Sequence, residues 1–197
     1  MARVRRERAL RDDSHDKGRT SPALVSARSI RVSSRQDLRR VRRSRSHRCW
    51  DHLIVAPLWP LHGANLGTLL RTCDAVGACL AVPRHPWVPE ALARGNTLRK
   101  RSCVHWAGDP LRWLAERRAT GSHVLGVELA EDAVRLADLP MARGRTVAVL
   151  GHERTGIPAE ALDLLHEAVE IPMIGTGASL NVAVAGSLVL YKLAGMS

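Results

Sequence analysis

The sequence predicts an α/β domain, a mainly parallel sheet flanked by helices, preceded by a basic and disordered arm. Three observations carry this reading. First, short apolar, β-leaning runs alternate with helical segments from His52 onward, the pattern of a parallel sheet covered by helices. Second, the charge is split along the chain. The 197 residues net +11, yet residues 1–48 hold 16 of the 30 basic and 5 of the 19 acidic side chains, so residues 49–197 balance. Third, residues 1–48 have few large apolar side chains and no sustained period. They cannot bury enough surface to offset their ordering entropy. The division is therefore an arm, 1–48, and a neutral domain, 49–197. At 45% hydrophobic and 25% charged residues, the chain has the composition of one ordinary domain with a core.

Each element follows from its local pattern. His52–Leu58 (HLIVAPL) reads as a strand. Leu66, Leu69, Leu70, Cys73 and Val76 recur at helical spacing and predict a helix over 65–76. Asn65 is placed to cap that helix, and Gly77 to end it. Ala78–Val82 is a second strand, and Pro83, Pro86 and Pro89 mark a loop. Cys103–Trp106 reads as a short strand, and Pro110–Arg118 as an amphipathic helix with Leu111, Trp113 and Leu114. His123–Val127 and Thr146–Leu150 are strands, the second of them cleanly apolar. Pro158–Leu165 is a helix with Pro158 in its first turn. Ala168–Ile171 is the last strand, and Ser179–Ala194 a strongly apolar closing helix with Ser179 as a natural cap.

Several classes of protein are excluded or disfavoured. No apolar run reaches the roughly 18 residues that span a bilayer. The basic N-terminus lacks the apolar stretch of a secretory signal, and Asp12, Asp13 and Asp16 argue against an organelle leader. Cys49, Cys73, Cys79 and Cys103 form no CxxC pair and read as reduced thiols of a cytoplasmic protein. A zinc site from Cys73, Cys79 and a histidine has the wrong spacing, so no metal is expected. The arm has three open readings: a polyanion-binding segment, a solvated tail, or residues upstream of the true translation start.

Three glycine-containing polar segments sit where strands end, the usual place for ligands in open α/β sheets. The first, GANLGTLLR, carries Asn65 and Arg71. An Arg on the polar face of a helix is by itself usually only solvated. The second, LGHERTGIP, carries Glu153 between Gly151 and Gly156. It is neither a P-loop nor GxGxxG, and its glycines allow close backbone approach to a ligand. The third, IPMIGTGASLNVAVA, carries Ser179 and Asn181. A polar amide at the first turn of so apolar a helix needs a partner if buried.

In order and spacing, NLGTLLRTCDAVGA, VAVLGHERTGIP and IPMIGTGASLNVAVAGSLVLY resemble the three motifs of the SpoU/TrmH family of RNA ribose 2′-O-methyltransferases, of the SPOUT class. The resemblance covers roughly residues 50–195. The middle, about residues 83–138, matches only as generic α/β sequence, and the arm has no counterpart. The resemblance implies a deep C-terminal trefoil knot, S-adenosylmethionine as methyl donor, a homodimer, and RNA as substrate, with tRNA ahead of rRNA. Donor contacts map by motif position onto Val127, Leu150, Gly151, Ile171, Met173, Ser179 and Leu180. The polar catalytic set maps onto Asn65, Arg71, Glu153, Ser179 and Asn181. In this mapping Asn65 positions the ribose or Arg71, and Glu153 orients Arg71 or the ribose. Ser179 and Asn181 hold the donor loop in shape. Arg71 is a phosphate clamp and charge stabiliser, since a guanidinium resists deprotonation. Ala183 and Ala64 stand where the family often has Ser and a larger polar residue. The alternatives are rRNA as the substrate, or a non-catalytic knotted RNA-binding protein. A nucleotide-binding α/β enzyme is disfavoured by the missing phosphate motifs.

Overall fold

The computed structural model describes residues 52–95 and 103–196. The arm expected over 1–48, and Cys49, lie outside the described residues. In chain order the elements are β1 (Leu53–Pro57), α1 (Gly63–Val76), β2 (Cys79–Pro83), α2 (Val88–Gly95), β3 (Val104–Ala107) and α3 (Pro110–Ala119). There follow β4 (His123–Val127), β5 (Val134–Arg135), β6 (Thr146–Leu150), α4 (Ala159–Leu162), β7 (Glu167–Glu170) and α5 (Val182–Leu193).

The seven strands form one sheet in the order β3-β2-β1-β6-β4-β7-β5, and every neighbouring pair is parallel. β1, β2 and β6 are buried along their whole length because both faces of the sheet are covered. The period-two geometry of a strand divides those side chains between two cores. Leu53 and Val55 of β1, with Ala148 and Leu150 of β6, pack under α1, α2 and α5. Ile54 and Ala56, with Val147 and Val149, face α3 and α4 on the other side. Cys73 and Cys79 fall in different cores, on opposite sides of the sheet.

The expected strands at His123–Val127 and Thr146–Leu150 appear with those bounds, and the other four lie within one residue of theirs at each end. Gly77 ends α1 at φ 78°, its N–H donating to the Cys73 carbonyl. Five expectations need correction. The proline-marked loop contains α2, with Pro89 in its first turn, where a missing N–H costs no helical bond. β5 is a two-residue edge strand too short for a periodic signal. α1 begins two residues early, so its N-cap is His62 and Asn65 lies inside the helix, buried. α5 begins late, so its cap is Asn181 and not Ser179. The helix after Pro158 is also shorter than expected, ending at Leu162.

Candidate active site

The register of the sheet assembles the site. β1 lies beside β6, with Pro57 paired to Leu150, so both chains leave the sheet at one level. The chain after β1 becomes the N-terminus of α1, and the chain after β6 becomes a tight turn. In that turn His152 and Gly156 exchange both backbone hydrogen bonds, at 2.8 and 2.9 Å. Gly156 sits at φ 71°, in the left-handed region that favours glycine. A Cβ on Gly151 would stand 2.3 Å from the Gly156 carbonyl carbon. The two glycines therefore serve the turn itself, where close approach to a ligand was expected. The turn aims Glu153 at the start of α1.

Helix α1 has no acid in its first turn, and His62 supplies no side-chain cap. Its N-terminal amides and partial positive charge want an anion. Glu153 provides it from another element. One carboxylate oxygen accepts from Leu61 N–H at 2.7 Å. The other accepts from His62 N–H at 3.1 Å and from Asn65 Nδ2 at 2.9 Å. Partial burial alone would raise the pKa of Glu153. Hydrogen bonds from Leu61, from its own backbone, from Asn65 and from His62 outweigh that, and hold it below the ordinary carboxylate value.

The third motif joins through Asn181. Its Oδ1 accepts from Ala183 and Val184 N–H at 2.9 and 3.2 Å, capping α5. Its Nδ2 donates to Asn65 Oδ1 at 3.0 Å. The orientation of each amide is forced. The α5 amides need an acceptor, so the Asn181 NH2 turns to Asn65. The Asn65 NH2 then faces the carboxylate. Reversing either amide would set donor against donor. One polar chain thus runs from the turn after β6, through the first turn of α1, to the cap of α5.

Arg71 and Ser179 do not enter this chain. Among the described residues no hydrogen bond or ion pair joins Arg71 to Glu153, so of the two orienting roles expected of that carboxylate the one toward Arg71 is not made. Arg71 is exposed and borders an open groove of about 440 Å³ between α1 and α2, with Gly63, Gly67, Thr68, Trp87 and Arg94. The groove owes its shape to close helix packing. A Cβ on Gly67 would stand 2.6 Å from Gly95 Cα. Ser179 lies exposed in the segment between β7 and α5.

Val127 and Leu150 are register partners at the carboxyl ends of β4 and β6. Gly151 follows Leu150, and Ile171 follows β7, which pairs with β4. Met173, Ser179 and Leu180 lie in the exposed chain between β7 and α5. Two features escaped the sequence. Glu128, directly after β4, accepts from Ile157 N–H at 2.9 Å and braces the far side of the turn. An acid immediately beyond an apolar strand was the available signal. Trp87 and Arg94 of the groove were hidden in the proline-marked segment.

A profile of the SpoU rRNA Methylase family matches residues 53–191. The tRNA (guanosine(18)-2'-O)-methyltransferase of Escherichia coli K12 is 34% identical over 133 residues, 65% of this chain and 56% of that enzyme. The Thermus thermophilus enzyme of the same name is 35% identical over 136 residues, 65% of this chain and 66% of its own. This chain thus spans little more than half to two thirds of these curated relatives. The crystal structure of the Aquifex aeolicus TrmH/SpoU tRNA modifying enzyme superposes with a TM-score of 0.65 at 26% identity, covering 82% of each chain. An AdoMet-bound rRNA methyltransferase from Sinorhizobium meliloti superposes at 0.60 with 26% identity, covering 77% of this chain and 59% of that one.

Proposed function

Because the chain belongs to the SpoU rRNA methylase family, we propose that it transfers a methyl group from S-adenosylmethionine to a ribose 2′-hydroxyl of RNA, with tRNA ahead of rRNA as substrate. The observation that carries this reading is the hydrogen-bonded chain Glu153–Asn65–Asn181, which ties three motifs distant in sequence into one polar cluster. The tRNA-modifying activity named for the Escherichia coli and Thermus relatives supports the substrate order. A cytoplasmic location follows from that substrate.

In this reading the donor would sit at the carboxyl ends of β4, β6 and β7, where Val127 and Leu150 are register partners. Met173, Ile174 and Leu180 stand exposed in the chain between β7 and α5, apolar side chains that the adenine of the donor would cover. S-adenosylmethionine supplies an electrophilic sulfonium methyl. Val127, Leu150, Gly151, Ile171, Met173, Ser179 and Leu180 would hold it, chiefly through backbone groups. The Glu153–Asn65–Asn181 chain fixes the relative positions of the α1 and α5 N-termini, and so of the donor loop and the ribose site. Alignment of the attacking oxygen is the larger part of such a displacement. Arg71 gives the groove a cation for a phosphate, Arg94 adds a second basic side chain paired with Glu90, and Trp87 lines it with an aromatic ring for a base. Arg71 then steadies negative charge developing on the oxygen.

The rest of the family architecture is carried in the same reading. The end of α5 is bound to the 137–142 segment, Lys192 Nζ to Ala137 O at 2.7 Å and Ala142 N–H to Leu193 O at 2.9 Å. This supports a knotted C-terminus. Val184, Leu188 and Tyr191 form an exposed apolar stripe along α5. A second copy of the chain would cover it. The arm, residues 1–48, adds nonspecific phosphate contacts ahead of the 49–197 catalytic domain. In the deciding test, the purified chain receives labelled S-adenosylmethionine with tRNA or rRNA transcripts. Label in a 2′-O-methylnucleoside of tRNA is expected. RNA binding with no calorimetric donor binding and no transfer would favour a non-catalytic binding protein.

A further inference from the structure

A second cluster of reactive side chains stands at the opposite end of the sheet. β2 and β3 pair in parallel, with Leu80 opposite Val104 and Ala81 opposite His105. The Leu80 N–H donates to the Cys103 carbonyl, so Cys79 and Cys103 are neighbours across the strands. Cys103 and His105 are two residues apart and share one face. That face is the core under α3, where Cys79 is fully buried and Cys103 packs at its edge. The ligand atoms of Cys79, Cys103 and His105 all lie within 4.8 Å of one another, and Cys103 Sγ is 3.6 Å from His105 Nε2. In tetrahedral zinc, bonds of about 2.0–2.3 Å separate neighbouring sulfur and nitrogen ligands by about 3.5–3.8 Å.

We propose that Cys79, Cys103 and His105 bind one thiophilic divalent cation of the zinc type, which fastens the edge strand β3 to β2. The ligands are two thiols and an imidazole, the set that favours zinc over magnesium or calcium. Binding releases two protons, one from each thiol, and two thiolates neutralise the cation's charge. The imidazole coordinates in its neutral form. Cys103 and His105 are only half-buried, so the cation can enter from the sheet edge. Three protein ligands leave one exchangeable position for water. The site lies at the amino ends of the strands, whereas Glu153, Asn65 and Asn181 lie at the carboxyl ends. It does not rest on the methyl-transfer reading.

The test titrates the full chain with cobalt(II), a spectroscopic stand-in for zinc. One equivalent is expected, with tetrahedral d–d bands and a thiolate-to-cobalt charge-transfer band, both abolished by stoichiometric zinc. Cys103→Ser and His105→Gln should each weaken binding at least tenfold and remove or shift the bands. Both positions are half-exposed, and matching circular dichroism without metal confirms folding. Should a variant misfold, competition for zinc by a chromophoric chelator on the wild-type chain decides instead. One tightly held zinc per chain, with two protons released, sustains the proposal. No thiolate band in the wild type, or equal cobalt binding in both folded variants, overturns it.

Discussion

At the residue scale, Asn65 is the hinge of the site. It is nine-tenths buried, and its amide both donates to Glu153 and accepts from Asn181. Asn65→Ala leaves Asn181 Nδ2 without its acceptor and takes one of three donors from Glu153. That should cost about 1–3 kcal/mol by denaturant unfolding, and lower kcat/KM at least about tenfold. Asn65→Asp tests the direction of the chain. It keeps an acceptor for Asn181 but sets a carboxylate against Glu153, so it should be at least as damaging. A wild-type rate in Asn65→Asp would refute the assigned amide orientation. Glu153 carries a pH signature. Its folded pKa lies below the unfolded value, so its contribution is present above the carboxylate range and is lost as pH falls through the folded pKa. Glu153→Gln should therefore be less stable than wild type near neutrality. The difference, about 1 kcal/mol after solvent screening, should shrink toward acid pH. Unfolding curves at several pH values check the sign.

At the scale of elements, the α1–α2 crossing and the outer face of α5 make separate predictions. Gly67→Ala forces a methyl into the Gly95 backbone and should cost about 1–3 kcal/mol while spreading the groove that Arg71 borders. Weaker RNA binding with donor binding preserved is the expected pattern, measured by calorimetry for each ligand. Leu188→Glu puts a charge in the exposed stripe of α5 and should give a monomer by sedimentation, with its fold intact. A monomeric wild type would remove the dimer from the reading. Elements with strong local patterns were legible in the sequence. β4 and β6 are bounded by polar and glycine residues, and Gly77 marks the end of α1. α2 was not legible, because three prolines read as a loop although one of them stands where a helix tolerates it. The cap of α1 was not legible either. Its anion comes from Glu153, 91 residues beyond His62, and only the β1–β6 register brings the two together.

At the scale of the whole molecule, the net charge of +11 is held in residues 1–48, while the described sheet and its flanking helices belong to the balanced part. In the proposed reading, the folded part therefore holds RNA through local cations such as Arg71. Deleting residues 1–48 should weaken RNA binding and flatten its salt dependence, by about 0.7–0.9 in the log–log slope for each phosphate that the arm no longer neutralises. An unchanged slope would leave the arm without that role. The candidate site was legible as motifs, and Asn65, Glu153 and Asn181 do meet. Their partners were not legible, because hydrogen bonds across the sheet depend on strand order. The central claim is that this polar chain serves ribose 2′-O-methylation. Its most direct test is nucleoside mass spectrometry of tRNA and rRNA from cells lacking the gene. One 2′-O-methylnucleoside should be missing, restored by the wild-type chain and not by Asn65→Ala. A complete nucleoside complement in the deletion strain, or full restoration by Asn65→Ala, would contradict it.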